Sequence, residues 1–113
     1  MPIACERYCG RVALARAIAT LPAMLYMIVE HFRDGDARPV YRRFRDKGRL
    51  APDGLQYIAS WVTTDIRHCY QVMECEDPAL LEQWMAQWRD IVDFECIPVV
   101  TSAEAARTMA PLL

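Results

Sequence analysis

The chain has 113 residues, of which 54% are hydrophobic and 25% charged, and a formal net charge of −2. That is the size and composition of one globular domain, neither disordered nor fibrous. A charge so close to zero gives no electrostatic reason to expect nucleic acid or an acidic membrane as a partner, and neither is expected. Residues 1–23, "MPIACERYCGRVALARAIATLPA", differ from the rest, with three arginines against one acidic residue. The apolar run from Ala17 to Val29 contains Pro22 and falls short of the ~20 residues that cross a bilayer. Cleavage after Ala23 would put Leu21 where a signal peptidase wants a small residue, and Arg16 interrupts the apolar region. Residues 1–23 are therefore read as an N-terminal extension: either a segment upstream of a true start at Met24 or a loosely attached helix. Residues 24–113 are read as the domain.

From Met24 the punctuation is clear. Leu25–Phe32 (LYMIVEHF) is a near-continuous apolar run of strand length, closed by the turn residues RDGD. Ala37, Val40, Tyr41 and Phe44 recur at helical spacing up to Gly48, a helix stop. RLAPDG is a loop. Leu55–Thr64 and His68–Cys75 are two strands rich in aromatic and β-branched residues, joined by a short polar turn. Asp77-Pro78 starts a second helix, along which Leu81, Trp84, Met85, Trp88 and Ile91 make one apolar stripe. DFECIPVV is the last strand, and TSAEAARTMA a closing helix introduced by Thr101 or Ser102.

The order β-α-β-β-α-β predicts an α+β, ferredoxin-like fold: a four-stranded antiparallel sheet with two helices on one face. Alternation along the second strand places Leu55, Tyr57, Ala59 and Trp61 on one side and Ile58 and Val62 on the other, so both faces are apolar. A sheet solvated on one face should alternate cleanly between apolar and polar. A second copy packed sheet to sheet would cover the open face, which predicts a homodimer, a dimeric α+β barrel.

The segments ECEDPALLEQW and WRDIVDFECIPVVTSAEAA resemble a bacterial family described only as a domain of unknown function. That family is similar in turn to the dimeric α+β barrel superfamily, which includes antibiotic-biosynthesis monooxygenases and muconolactone isomerases. The resemblance runs from Met24 to about Ala106 and is most specific at Trp61, Glu74, Asp77, Trp88, Asp90, Phe94, Glu95 and Pro98. It implies the fold and no particular activity.

Glu30, Glu74 and Glu95 each sit within an otherwise apolar strand. In this topology the first strand lies between the third and fourth, so the three could converge. Facing a buried interior, they would be general bases; the competing reading puts them at the rim or pairs them with Arg33, Arg67 and Arg89. His31 and His68 fall at strand ends that antiparallel pairing brings together, as a metal site or proton relay with Glu30 nearby, or as partly exposed side chains. Tyr26, Tyr57, Trp61 and Tyr70 would line a cavity for a planar molecule if they face the interior, and are core otherwise. Arg38, Arg42, Arg45 and Arg49 form a helical stripe, read as a solvated face. Asp90 and Asp93 are read as helix-end and turn residues.

Cys69 and Cys75 lie ~20 Å apart on one strand, too far for a disulfide. Cys5 and Cys9 could offer two metal ligands but have no second pair to complete a site. Free thiols in a reducing cytoplasm are expected, with no metal. No nucleophile elbow, Walker loop or dinucleotide glycine loop is present, and no cofactor is expected. The preferred function is binding of a small apolar or aromatic molecule, with cofactor-free monooxygenase- or isomerase-like chemistry based on a buried glutamate. The alternative is a non-catalytic dimerisation or sensing module with a filled interface.

Overall fold

A computed structural model describes residues 22–113 of the chain. The expectations for the N-terminal extension, including Cys5 and Cys9, fall on residues outside that range, apart from Pro22 and Ala23. The elements are β1 (Met24–Phe32), α1 (Arg38–Lys47), β2 (Gln56–Val62), β3 (His68–Cys75), α2 (Ala79–Ala86), β4 (Val92–Val99) and α3 (Ser102–Met109). A tight helical turn, Arg33–Gly35, follows β1. The four strands form one antiparallel sheet in the order β2-β3-β1-β4, the expected α+β arrangement.

Apolar side chains of alternate parity collect on one face of this sheet. Tyr26, Ile28 and Phe32 of β1, Met73 of β3, and Phe94 and Cys96 of β4 share a buried cluster with Val40 of α1 and with Leu81, Trp84 and Met85 of α2. Both helices therefore cover the same face. Trp88, in the turn that follows α2, extends that stripe into the core as its spacing predicts. Asp77 opens α2, its Oδ1 accepting the Ala79 N–H at 3.0 Å, which satisfies one of the first-turn donors. At the end of α1, Gly48 takes φ 74°, a left-handed position that favours glycine, while its N–H closes on the Phe44 carbonyl.

The face away from α1 and α2 carries Ile58, Trp61, Tyr70 and Ile97 at 41–61% exposure. Their grouping corrects the alternation expected along β2. The register slips between Tyr57 and Ala59, so Ile58 is an extra residue. A bulge of this kind leaves one residue unpaired and reverses parity beyond it. Tyr57 thus shares the helix-covered face with Ser60 and Val62, whereas Ala59 and Trp61 take the open one.

The arginine stripe is also not a single surface. Arg38 pairs with Asp36 and Arg45 with Asp46, while Arg49 lies beyond the helix and turns inward. Arg43, outside the stripe, reaches Asp90 at 2.7 Å and fastens α1 to the turn after α2. Asp93 belongs to β4 and is held by Arg33 at 2.9 Å. Neither Cys69 nor Cys75 is disulfide-bonded, as expected. Cys96 is disulfide-bonded, contrary to the expectation of free thiols throughout.

Helix α3 begins at Thr101, whose side chain accepts the Glu104 N–H at 3.1 Å. Every residue of α3 is exposed. Thr101→Ala is expected to fray this helix at a local cost of about 1 kcal/mol while the cooperative unfolding midpoint of the domain stays in place. Circular dichroism at low temperature, compared with the urea midpoint, checks this; a midpoint that falls together with the helical signal would contradict it.

Candidate functional site

The loop after α1 determines the geometry of the site. Trp84 and Trp88, four residues apart on the α2 stripe, both donate their indole N–H to the Arg49 carbonyl, at 3.0 and 3.1 Å. Each such bond contributes on the order of 1 kcal/mol, and together they fix where the chain leaves Gly48. Held there, the Arg49 side chain lies over the Tyr57 ring, 3.9 Å from its centroid, and near Phe44, at 5.3 Å. Its Nη1 donates to Gln71 Oε1, and Gln71 Nε2 donates to Glu30 Oε2 at 3.2 Å. Arginine, glutamine and glutamate thus form a chain on the helix-covered face of the sheet.

Beside this chain is a cavity of about 190 Å³. Its floor is the sheet, with Glu30 and Phe32 of β1, Cys69 and Gln71 of β3, and Ser60 and Val62 of β2. Its walls are Val40, Tyr41 and Phe44 of α1, the two tryptophans, and Arg49. Cavities of about 150 Å³ hold a benzene molecule, so this one suits a single-ring compound rather than a multi-ring cofactor.

Glu30 is 9% exposed, and burial pushes its carboxyl up from the ordinary 4.5 to about 7. The Arg49 charge opposes that rise only in part, because Gln71 stands between them. Glu30 can therefore both take up and release a proton near neutrality. Cys69, its register partner on β3, is pushed to about 12 by burial first and then by the Glu30 charge, with Arg49 opposing. A thiol so hard to ionise is a poor nucleophile, which leaves the carboxyl as the reactive group here.

The other sequence-designated residues separate. Tyr26 is buried in the core and does not line the cavity. Tyr57 forms the bed for Arg49 and bonds Ser60 Oγ at 2.7 Å. Trp61 and Tyr70 are register partners on the open face. Glu74 and Glu95 are of open-face parity too, but Glu74 pairs with Leu25 near the start of β1 and Glu95 with Val29. The three glutamates therefore do not converge. His31 and His68 do meet, Nδ1 to Nδ1 at 2.9 Å, and His31 Nε2 reaches Glu95 Oε2 at 3.0 Å. Their companion is Glu95 and not Glu30, since Glu30 and His31 are consecutive and point to opposite faces. Among the described residues, no group of three His, Cys, Asp or Glu is placed to hold a metal ion.

Sequence reasoning missed Arg49, Gln71 and the shared role of the two tryptophans. Gln71 had a signal. In the inward row Cys69, Gln71, Met73, Cys75 it is the one strongly polar side chain, and a buried amide needs a partner.

Fold and site define a class: an α+β protein whose helix-covered antiparallel sheet holds an apolar cavity with one buried carboxyl. Residues 24–113 match the model of a family described as Domain of unknown function (DUF3303), and the chain belongs to that family. Searches of curated proteins and of solved structures gave no match. Among the described residues no helix is long and apolar enough to cross a membrane.

Proposed function

We propose that the protein binds a small, largely apolar or aromatic molecule in the cavity between helices and sheet, and that Glu30 exchanges a proton with it without a cofactor. The observation that carries this reading is a buried carboxyl, titrating near neutrality, on the floor of an apolar cavity. A general base works best when its pKa lies near the working pH. The Arg49 guanidinium in the adjoining wall supplies positive charge where an oxyanion would develop.

The chemistry that fits is isomerisation of an enolisable carbonyl compound. The Glu30 carboxylate takes a proton from the carbon beside the carbonyl, and the electron pair moves onto the oxygen near Arg49. The resulting enolate then recovers the proton from Glu30 at another carbon. A monooxygenase-like reaction would share the first step. The apolar open face, with Trp61, Tyr70, Ile58 and Ile97 exposed, supports pairing with a second copy into a barrel-like homodimer. A cytoplasmic location draws support from Cys69 and Cys75, which form no disulfide, while the disulfide at Cys96 argues against it.

The volume favours a second reading. Sites for drug-sized ligands measure about 300 Å³ or more, and 190 Å³ is less. A non-catalytic dimerisation or sensing module would use the cavity for a small effector or for none. Conversion of a β,γ-unsaturated cyclohexenone to its conjugated isomer, followed by ultraviolet absorbance, separates the two. The enzyme reading expects acceleration that Glu30→Gln lowers by about a hundredfold or more. Equal rates with the native protein and the variant would sink it.

A further inference from the structure

The Glu95–His31–His68 cluster lies on the sheet face opposite the cavity and takes no part in the chemistry above. With His31 neutral, its two contacts determine where the protons sit. An ionised carboxylate only accepts hydrogen bonds, so His31 Nε2 carries the proton shared with Glu95 at 3.0 Å. In a neutral His31 the other ring nitrogen, Nδ1, then holds a lone pair. The contact of 2.9 Å between the two Nδ1 atoms requires one donor and one acceptor, so His68 donates from Nδ1. His68 Nε2 is left with a lone pair, and among the described residues none donates to it. Asp93, the register partner of His31 on β4, is occupied by Arg33 and does not compete. Asp65, in the β2–β3 turn, is bound to Thr63 and to the Arg67 N–H.

The surroundings specify what could meet that lone pair. His68 and Tyr70 are two residues apart on β3 and point to the same face, roughly 7 Å from each other along the strand. Tyr70 is paired with Trp61 on β2, and both rings are exposed, at 41% and 61%. Two exposed aromatic side chains thus share a face with a proton acceptor whose tautomer is set by a carboxylate.

We propose that Glu95, His31 and His68 form a proton relay on the open face, which binds and deprotonates a planar aromatic molecule bearing an acidic hydroxyl, stacked on Tyr70 and Trp61. The hydroxyl O–H bond breaks and its proton goes to His68 Nε2. The His68 Nδ1 proton passes to His31 Nδ1. His31 then carries protons on both nitrogens, and its positive charge comes to rest 3.0 Å from the Glu95 carboxylate. The ligand is held as its phenolate, and protons and charges balance with no further reactant. The side chains of His31 and Glu95 are 40% and 27% exposed in the single chain, so ligand reaches the relay from this face, and in the proposed pair of sheets it lies between the two copies.

The test uses para-nitrophenol with the full chain, at a pH about one unit below the probe's own pKa, where about a tenth of the free probe is ionised. The expected result is a saturable rise in the phenolate absorption band with the native protein. His68→Ala should weaken it about tenfold or more, and Glu95→Gln by a smaller factor, as expected for losing a hydrogen bond to a charged group. Nitrogen NMR of the imidazoles should also show protonated Nδ1 in His68 and protonated Nε2 in His31, a pattern that Glu95→Gln releases. No phenolate band with the native protein overturns the proposal. So does a band that persists in His68→Ala. A band that persists there but is lost in Glu30→Gln places the phenol in the helix-side cavity and overturns the relay while sparing the cavity.

Discussion

Glu30→Gln is expected to raise stability by roughly 3 kcal/mol at pH ~8 and to change it little at pH ~4. The folded protein holds the Glu30 carboxyl at about 7, against an ordinary value of 4.5. Between those values the folded state binds the proton and the unfolded state has lost it. Stability contributed by the neutral carboxyl is therefore complete below the ordinary value and is lost as pH rises through this window. Glutamine is neutral at every pH and keeps an oxygen to accept the Gln71 bond. Urea melts of the native protein and the variant at both pH values check this. A variant less stable than the native protein at pH ~8, or a difference independent of pH, would show that Glu30 is not a buried acid. The same substitution is the one that should abolish proton exchange, so activity and stability are expected to move in opposite directions.

Arg49→Met is expected to raise the Glu30 midpoint further and to destabilise the fold. Arg49 supplies the charge that lowers the Glu30 value, so its removal leaves burial unopposed and moves the Glu30 midpoint above 7. The variant also empties the cation site over Tyr57 and Phe44 and strips Gln71 Oε1 of its donor. A partly exposed cation–aromatic contact, worth about 0.5–1 kcal/mol, and a buried acceptor left unpaired, about 1–3 kcal/mol, together cost about 1.5–4 kcal/mol. The tryptophan bonds survive because they go to the backbone carbonyl of residue 49. A loss of stability without any upward movement of Glu30 would mean that Arg49 is only a packing residue.

The fold was legible because period and punctuation agreed. His68–Cys75 matches β3 residue for residue, Gly48 ends α1, and the Leu81–Trp88 stripe is buried as its spacing requires. The face assignment on β2 was not legible, since one unpaired residue at Ile58 reverses every side chain beyond it and leaves no mark in the composition. The site divided along the same line. Glu30 was recognisable as an acid within an apolar strand. Its separation from Glu74 and Glu95 depends on register, and neighbouring strands fix register only once they have paired. Arg49 looked like one more member of a solvent stripe, because helical spacing continues arithmetically past Gly48 while the helix does not.

Carbon NMR of the glutamate carboxyls, titrated with and without a single-ring ketone, tests whether Glu30 exchanges protons inside a ligand cavity. One carboxyl is expected with a midpoint near 7 that moves when the ketone binds and disappears from the spectrum of Glu30→Gln. A Glu30 midpoint in the ordinary carboxylate range, unmoved by ligand, would contradict it.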